Sequence, residues 1–558
     1  MDTQRLILFF VFSFSLLLLW DAWQKEQRPA ASLPAPVAKT QSGVPSPAKP
    51  IGPATPPAVP AQTGVPSVSA AAATAVGAER IRVQTDLMIA EIDTLGGSLR
   101  RVELLKHKDS EDTSKNFVLL QPERHYEAQS GLTGEAGPNH RTLWVAIPGE
   151  RQLQAGQAAL QVRLTAEGGD GIRVEKTYTF RRDSYLVEVA MELRNGGQAP
   201  IATHAYFQLT HDGKEPTHGN AITGSFGAQS FVGFAQFTSE RKYEKVQFAD
   251  LDKGKAEYAK QAQDGWIAFV QHYFVAAWIP AANLGREFVI ERRQDGSYVG
   301  RAVVPVGTLA PGAATKIAVP LYVGPQEQRR LEAANPSLPL VVDYGWLTVI
   351  AQPLFWLLEM LHGLSGNWGV AIILLTVLIK LVFFPLSAAS YKSMAKMKLI
   401  TPRLTKIREM HAHDRAKMNQ AMMELYKTEK INPLGGCFPI LVQIPVFIAL
   451  YWVLLAAIEL RHAPFVLWIR DLSALDPYYI LPVLMTVTMV LQTRMNPTPP
   501  DPVQAKVMQF MPYVFSVFFF FFPAGLVLYW LVNNILSILQ QWQIQRMFDR
   551  DRPAHAKR

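Results

Sequence analysis

The sequence predicts a multi-pass α-helical membrane protein with six transmembrane helices, a large all-β sandwich domain outside the membrane and a cytoplasmic helical hairpin. Three observations support this fold class. An apolar run occupies residues 6–20, short alternating stretches fill residues 80 to about 325, and five apolar segments follow residue 366. Alternation with a period of two predicts strands, whereas uninterrupted apolar segments of this length predict membrane helices.

The N-terminal region is predicted to be an anchor over residues 1–25 followed by a linker over 26–79. The apolar run "LILFFVFSFSLLLLW" precedes "DAWQKEQRP", which holds no small-residue cleavage site directly after the run. We therefore favour an uncleaved transmembrane anchor over a secretory signal. The linker is dominated by Pro, Ala, Gly, Ser and Val, so it cannot form a packed core and serves as a semi-extended tether.

Residues 80–337 are predicted to form the β-sandwich. Stretches such as "IRVQTDLMIAEI", "IRVEKTYTF" and "YLVEVAMELRN" alternate apolar and polar residues and are separated by Gly, Asp, Asn and Pro. A short charged helix, "QEQRRLEAAN", ends this region.

Residues 338–366 mix aromatic and aliphatic residues with few charges, which is typical of an amphipathic helix lying in the membrane interface.

The C-terminal part is predicted to be a five-helix core over residues 367–545 and a basic tail over 546–558. Its membrane segments are expected at about 368–386, 438–459, 478–493, 508–522 and 524–545. With a cytoplasmic N-terminus, this count places the sandwich outside, and it places residues 387–432 and the C-terminus in the cytoplasm. Ten lysines and arginines in residues 387–432 agree with that orientation, because cytoplasmic loops collect basic residues.

The cytoplasmic segment 387–432 is predicted to be a hairpin of two helices joined at "HAHD". It is rich in methionine, whose flexible side chain adapts to different apolar partners. One interpretation is that these methionines contact substrates. The other is that they only pack the two helices together, and both can hold. The residues concerned are Met394, Met397, Met410, Met418, Met422 and Met423.

Lys380 lies inside the apolar run "LTVLIKLVFFPL". A charge near the centre of a membrane helix costs roughly 2.5 to 3.5 kcal/mol, so it needs either an escape route or a function. Its stem could reach the cytoplasmic surface, since Pro385 follows within two turns. Alternatively it faces a wet recess, because Thr376 lies one turn earlier and other segments carry polar groups at membrane depth. These groups belong to Gln443, Thr486, Thr488, Ser516, Tyr529, Asn533 and Asn534.

Several other functions find little support in the sequence. The net charge of +9 fits the basic cytoplasmic loops rather than sequence-specific nucleic-acid binding, and Cys437, the only cysteine, cannot form an intramolecular disulfide. "HGLSGN" contains a Gly-x-Ser-Gly pattern at Ser365, but no histidine occurs in a later membrane segment to act as its base. No phosphate-binding glycine-rich loop occurs, and His411 and His413 are too few to indicate a metal site. We expect no cofactor.

Four long stretches resemble the YidC/Oxa family of membrane protein insertases. They are "GNWGVAIILLTVLIKLVFFPLSAASYKSMAKMKLITPRL", "LYKTEKINPLGGCFPILVQIPVFIALYWVL", "APFVLWIRDLSALDPYYILPVLM" and "FPAGLVLYWLVNN". The similarity covers about residues 340–545. The anchor and the large outside domain resemble the Gram-negative form of the family, which implies a bacterial inner-membrane protein whose large domain is periplasmic.

The resemblance implies a hydrophilic groove within the helical core, open to the cytoplasm and the lipid. Family members usually carry an arginine there, and the matching position is Lys380, which keeps the charge but loses the bidentate fork of arginine. Thr376 and Gln443 match other groove positions. Tyr529 and Trp530 stand where the family often has two tyrosines, and Asn533 completes the expected groove residues.

The resemblance further implies a non-enzymatic insertase and chaperone. Its partners would be nascent inner-membrane proteins, the ribosome, the Sec translocon and membrane lipids. Two alternatives remain at this stage. A secondary transporter would need internal symmetry, which the later segments do not show, and a membrane-anchored carbohydrate-binding or carbohydrate-processing protein would need paired carboxylates in the sandwich.

Overall fold

The structure is a computed structural model that describes residues 78–110, 112–134, 137–214, 231–411, 414–429, 438–496 and 502–550. These residues belong to two compact units, one of strands up to Val342 and one of helices from Asp343 onwards. The expected anchor and all but the last two residues of the linker lie outside the described residues.

The first sheet of the strand unit is entirely antiparallel in its pairings. Its order is β1-β2-β3-β5-β10-β17-β16-β13, with β4 paired to β3. The strands are β1 Arg80–Gln84, β2 Met88–Asp93, β3 Ser98–Lys108, β4 Asn116–Leu120, β5 Glu127–Leu132, β10 Ile201–His211, β13 Gln261–Ala262, β16 Arg286–Arg292 and β17 Tyr298–Leu309.

The second sheet is also antiparallel and has the order β12-β11-β14-β15-β18-β9-β8-β7-β6. Its strands are β6 Val145–Ala146, β7 Ala159–Glu167, β8 Ile172–Arg181, β9 Leu186–Asn195, β11 Gly233–Thr238, β12 Lys242–Val246, β14 Trp266–Gln271, β15 Phe274–Trp278 and β18 Ala314–Pro325. The all-β sandwich expected from the alternating pattern is therefore confirmed.

The sandwich core forms because one face of each strand is apolar. In β8, Ile172, Val174, Tyr178 and Phe180 are buried, while Arg173 between them is exposed. Large aromatic side chains connect the two sheets, as where Phe207 of the first sheet contacts Trp278 of the second at 5.1 Å between ring centroids. Burying such rings contributes a large share of the stabilising free energy.

Lys176 is an ionisable residue buried in this core. It lies on the buried face of β8 and is 0% exposed. Its amino group donates to the carbonyl oxygens of Ser130 at 2.9 Å and Gly97 at 3.1 Å, and it lies 4.3 Å from the ring centroid of Trp144. Gly97 has a φ of +54°, and a Cβ there would approach the Trp144 ring at 3.1 Å, so glycine permits this packing. Lys176 thus joins the two sheets.

The helices of the described residues are numbered in chain order. They are α1 Phe248–Asp252 and α2 Gln328–Ala334 in the strand unit, then α3 Thr348–Ser365, α4 Trp368–Val382, α5 Phe384–Met410, α6 Arg415–Thr428, α7 Phe438–Ala456, α8 Ile480–Met495, α9 Pro502–Phe519 and α10 Ala524–Arg550. The helix expected at the interface, residues 338–366, starts with two 3-10 turns, Leu338–Val341 and Gly345–Leu347, before α3 begins.

The segment expected to run continuously over 368–386 is broken. Helix α4 ends at Val382, and α5 starts at Phe384 with a bend of 66° between them. Pro385 lies in the first turn of α5, where it lacks an N–H and its ring clashes with the preceding helical turn. The sequence predicts that the segment ends at about residue 386, directly after this proline, whereas in the structure Pro385 lies at the start of a second helix that continues into the hairpin.

Among the residues that the structure describes, no single helix combines the length and the hydropathy of a membrane span. The bent pair of α4 and α5 meets both criteria together. Shorter apolar helices occur at Val442–Ala456, Ile480–Met495 and Ala505–Phe519. The number of transmembrane helices stays a prediction.

We expect Lys176 to make the stability of the sandwich depend on pH. Burial lowers the pKa of Lys176 to about 7 from 10.5, so between these values the unfolded chain binds a proton that the folded chain does not. The free energy of unfolding should therefore rise as the pH increases from 7 towards 10, by at most about 1.4 kcal/mol per unit from this group. Urea unfolding of the full chain in detergent, followed by tryptophan fluorescence, measures this.

The variant Lys176→Met provides the comparison, because it keeps a long side chain in the core and removes the titrating group. Its free energy of unfolding should rise less steeply over the same pH range. Equal slopes for the parent and the variant would contradict the prediction.

Candidate functional site

One face of helix α10 carries polar side chains within an otherwise apolar helix. Tyr529, Asn533 and Ser537 follow each other at intervals of four residues, which places them on the same side of the helix. Tyr529 is 1% exposed and Ser537 is 3% exposed, while Asn533 is half-buried. This face is therefore directed into the helical unit.

Lys380 of α4 reaches this face. Its Nζ donates to the Ser537 hydroxyl at 2.8 Å, and the Ser537 hydroxyl donates to the Asn533 carbonyl oxygen at 2.7 Å. Serine can fill both roles because its hydroxyl has one hydrogen and two lone pairs. Lys380 is half-buried, so a neutral hydroxyl group of another helix replaces part of its hydration.

Two further helices contribute to the same cluster. Gln443 of α7 donates from Nε2 to Asn533 Oδ1 at 3.2 Å, and the Tyr529 hydroxyl lies close to the Gln443 side chain. The Tyr391 hydroxyl of α5 lies close to Ser537. We call this group the polar network. Its members are Lys380, Tyr391, Gln443, Tyr529, Asn533 and Ser537.

Two residues expected in the groove take no part in these hydrogen bonds. Thr376 is 1% exposed, and its hydroxyl donates to the Ile372 carbonyl of its own helix at 2.6 Å. Trp530 packs edge-to-face on Phe447 at 4.4 Å between ring centroids and also contacts Phe519. Thr376 therefore lies in helix packing, and Trp530 forms an aromatic contact beside the polar network.

The other polar residues that the sequence places in apolar segments bond outside the polar network, either within their own helix or, for Asn534, to a neighbouring helix. Thr486 and Ser516 donate to carbonyl oxygens four residues earlier, and Thr488 donates to Met485 three residues earlier. Asn534 donates to the Met485 sulfur at 3.4 Å. Serine and threonine often satisfy themselves this way inside a helix, so their presence alone does not indicate a site.

Sequence reasoning missed Ser537 and Tyr391. Ser537 could have been found, because it lies one turn after Asn533 on the face already marked by Tyr529. Tyr391 could not have been found, because its position depends on the direction of α5 after the bend. The sequence does not fix that direction.

The hairpin methionines differ in how far they are buried. Met397 and Met422 pack with Leu425 and Tyr426 against a small cluster of buried Ile400 and Leu404. Met410 and Met423 are 70% and 55% exposed. Met394 and Met418 are half-buried. Two methionines thus help to join α5 and α6, while two others are available at the surface.

Ser365, the serine of the Gly-x-Ser-Gly pattern, lies at the end of α3. Its hydroxyl donates to the Leu361 carbonyl oxygen at 2.9 Å, one turn earlier. His362 stacks on Trp368 at 3.9 Å between ring centroids. These contacts are those of a helix terminus, as the sequence reasoning preferred.

Both parts of the chain match known protein families. The family described as YidC periplasmic domain matches residues 80–357, and the family described as 60Kd inner membrane protein matches residues 360–551. A protein named membrane protein insertase YidC from Nitrosospira multiformis is 53% identical and covers 98% of both chains. Its namesake from Methylobacillus flagellatus is 54% identical over 99% of this chain and 98% of its own.

Solved structures show weaker similarity. An active YidC insertase crystal structure with its first transmembrane domain resolved aligns with 82% of this chain and 91% of its own, with a TM-score of 0.36 and 17% identity. A galactose mutarotase related enzyme from Lactobacillus acidophilus covers 44% of this chain, with a TM-score of 0.30. The assignment rests on the sequence matches, which span nearly the full length. By those matches, the chain belongs to the YidC family of membrane protein insertases.

Proposed function

We propose that the polar network receives the polar part of a membrane protein during its insertion into the inner membrane. The observation that carries this proposal is the hydrogen bond from Lys380 Nζ to Ser537 Oγ, which directs the charge towards another helix. A lysine that only snorkelled would extend towards the headgroups instead. The other members of the network provide further hydrogen-bonding groups on α5, α7 and α10.

The order of events follows from where the side chains lie. An incoming segment would first contact the exposed methionines Met410 and Met423 of the hairpin. Its polar end would then exchange hydrogen bonds with the polar network, which lowers the cost of taking peptide and carboxylate groups out of water. Its apolar part would move sideways into lipid, with a gain of about 25 cal/mol per Å² of apolar surface removed from water.

Lys380 suits this role because its charge is not neutralised by an acidic side chain within the described residues. Its hydrogen-bond partner is the Ser537 hydroxyl group, which carries no charge. Attraction for an acidic segment is therefore retained. Lysine acts as a point charge, so it should select for negative charge without the geometric selectivity of arginine.

Our proposal includes the topology expected from the sequence. It has six transmembrane helices, cytoplasmic N- and C-termini and a cytoplasmic hairpin at 387–432. The ribosome would deliver substrates to the hairpin side, and the Sec translocon would act beside the helical unit. The basic residues of α5 and α6 support this orientation through the positive-inside rule.

The topology predicts which segments a protease reaches. Trypsin added to intact spheroplasts should cut within residues 80–337 and leave the hairpin 387–432 intact, because trypsin cannot cross the inner membrane. Immunoblotting with a C-terminal tag separates the two outcomes. In lysed spheroplasts the hairpin should be cut, which serves as the control. Cleavage of the hairpin in intact spheroplasts would contradict the proposed topology.

The charge of Lys380 predicts a dependence on the charge of the substrate. Lys380→Leu should slow translocation of a tail with two acidic residues at least roughly fivefold, equivalent to about 1 kcal/mol, because the attraction between the charges is lost. Lys380→Arg should translocate the same tail as well as the parent does. The measurement is the protease-protected fraction of tail after a fixed time in proteoliposomes.

A substrate whose two acidic residues are changed to neutral ones provides the control. It should respond much less to Lys380→Leu, because it lacks the charge that Lys380 attracts. If the Leu variant translocates the acidic tail as fast as the parent, Lys380 has no role in receiving substrate.

The difference in burial between the hairpin methionines gives a matched pair of variants. Met423→Ser should weaken cross-linking of the hairpin to a nascent chain and leave the melting temperature unchanged, because Met423 is exposed. Met422→Ser should lower the stability of the hairpin by about 1 kcal/mol, because Met422 packs on the Ile400 and Leu404 cluster. Unchanged cross-linking in Met423→Ser would remove this residue from the contact surface.

A further inference from the structure

Gln540 of helix α10 is a buried amide without hydrogen bonds. Its side chain is 8% exposed, and neither Nε2 nor Oε1 has a partner among the residues that the structure describes. Buried polar groups are almost always hydrogen-bonded, and each exception needs an explanation. Here a donor and an acceptor of the same side chain are both unsatisfied.

Gln540 lies on the face of α10 that carries the polar network. With about 100° of rotation per residue, the directions of Tyr529, Asn533 and Gln540 fall within about 40° of one another. Gln540 follows Ser537 by three residues, a rise of about 4.5 Å along the axis. In the proposed topology the C-terminal end of α10 is cytoplasmic, so an incoming segment would pass Gln540 before it reaches Lys380.

The neighbouring Gln541 shows what a structural glutamine looks like at this place. It is 0% exposed, and its Nε2 donates to Asn496 Oδ1 at 3.2 Å and to the Met495 carbonyl oxygen at 3.4 Å. Its Oε1 has no partner among the described residues. Gln541 thus connects α10 to the end of α8, whereas Gln540 makes no such connection.

We propose that Gln540 binds the backbone N–H and C=O of one residue of the inserting polypeptide. A carboxamide presents N–H donors and a carbonyl acceptor in one plane, and in an extended peptide the N–H and C=O of a single residue point to the same side of the chain. An extended segment that enters the helical unit carries unpaired peptide groups, and these are costly to remove from water. This inference rests on the proposed function, since it places the substrate backbone beside the polar network.

The chemistry separates Gln540 from Lys380. A neutral amide does not distinguish an acidic segment from a neutral one, and every extended segment has peptide groups. Gln540 would therefore act on all substrates alike, while Lys380 would favour those with negative charge. Together they would give general binding of extended chains with an additional preference for acidic tails.

The test uses Gln540→Met in the full-length protein, because methionine keeps the unbranched shape and removes both hydrogen-bonding groups. We expect insertion in proteoliposomes to slow at least about fivefold for the acidic tail and for its neutral counterpart, because both hydrogen bonds to the substrate backbone are lost. The melting temperature in detergent should stay equal or rise, because an unsatisfied buried amide has been replaced by an apolar side chain.

Two neighbouring variants are controls. Gln541→Met should lower the melting temperature, because it breaks the hydrogen bonds to Asn496 and Met495. Gln543→Met, at an exposed position, should change neither insertion nor stability. A drop in both insertion and melting temperature in Gln540→Met would assign this residue to packing and overturn the proposal.

The two proposals fail in different ways. If Gln540→Met inserts both tails at the parental rate, the backbone site is wrong, whatever Lys380→Leu does. If Lys380→Leu has no effect on the acidic tail but Gln540→Met slows both tails, the charge proposal fails alone. An effect of Gln540→Met confined to the acidic tail would also overturn backbone binding.

Cross-linking gives a second, independent measurement. In a Cys437→Ser background, Gln540→Cys should form disulfides with single cysteines placed at successive positions of a translocating tail, whatever the neighbouring side chains are. Disulfides with no tail position would overturn the proposal.

Discussion

A lysine amino group that leaves water needs hydrogen-bond partners, and two lysines of this chain meet that requirement in different ways. Lys176 is enclosed in the sandwich, where carbonyl oxygens of the first sheet and the ring of Trp144 surround its amine. Lys380 has one hydroxyl partner and remains half-buried. A buried amine enclosed by its hydrogen-bond partners holds two sheets together, whereas a cation with one neutral partner keeps the capacity to bind another group. This difference separates a structural lysine from the one we propose to contact substrate.

The polar groups inside the helical unit also need hydrogen-bond partners. Asn533 is the junction of the polar network, because its carbonyl oxygen accepts from Ser537 and its side-chain oxygen accepts from Gln443. Hydrogen bonds between membrane helices contribute only about 0.6 to 2 kcal/mol each. Bonds of this strength orient α4, α7 and α10, and in the role we propose a substrate with its own donors and acceptors would replace them. A network of stronger ion pairs would hold the helices but resist this exchange.

Much of the fold and part of the site could be predicted from the sequence, and the limits have physical causes. Alternating patterns such as that of β8 identify the sandwich, because its two sheets bury one face of each strand. Lys380, Gln443, Asn533 and Tyr529 stand out as polar residues in apolar segments. Thr376 stands out equally, but residue type cannot tell a hydroxyl that bonds to its own helix from one that faces a neighbour. The bend at Pro385 decides where Tyr391 lies, and only three-dimensional packing reveals that Gln540 lacks partners.

The choice of a hydroxyl as the partner of Lys380 has a consequence for specificity. A glutamate at position 537 would satisfy the amine more strongly, but it would cancel the charge and remove the attraction for an acidic segment. Serine lowers the cost of burying the amine and leaves its field intact. The hydroxyl partner therefore leaves the charge of Lys380 unneutralised. That arrangement fits the role we propose for Lys380, in which the site would receive a substrate and then release it to the lipid.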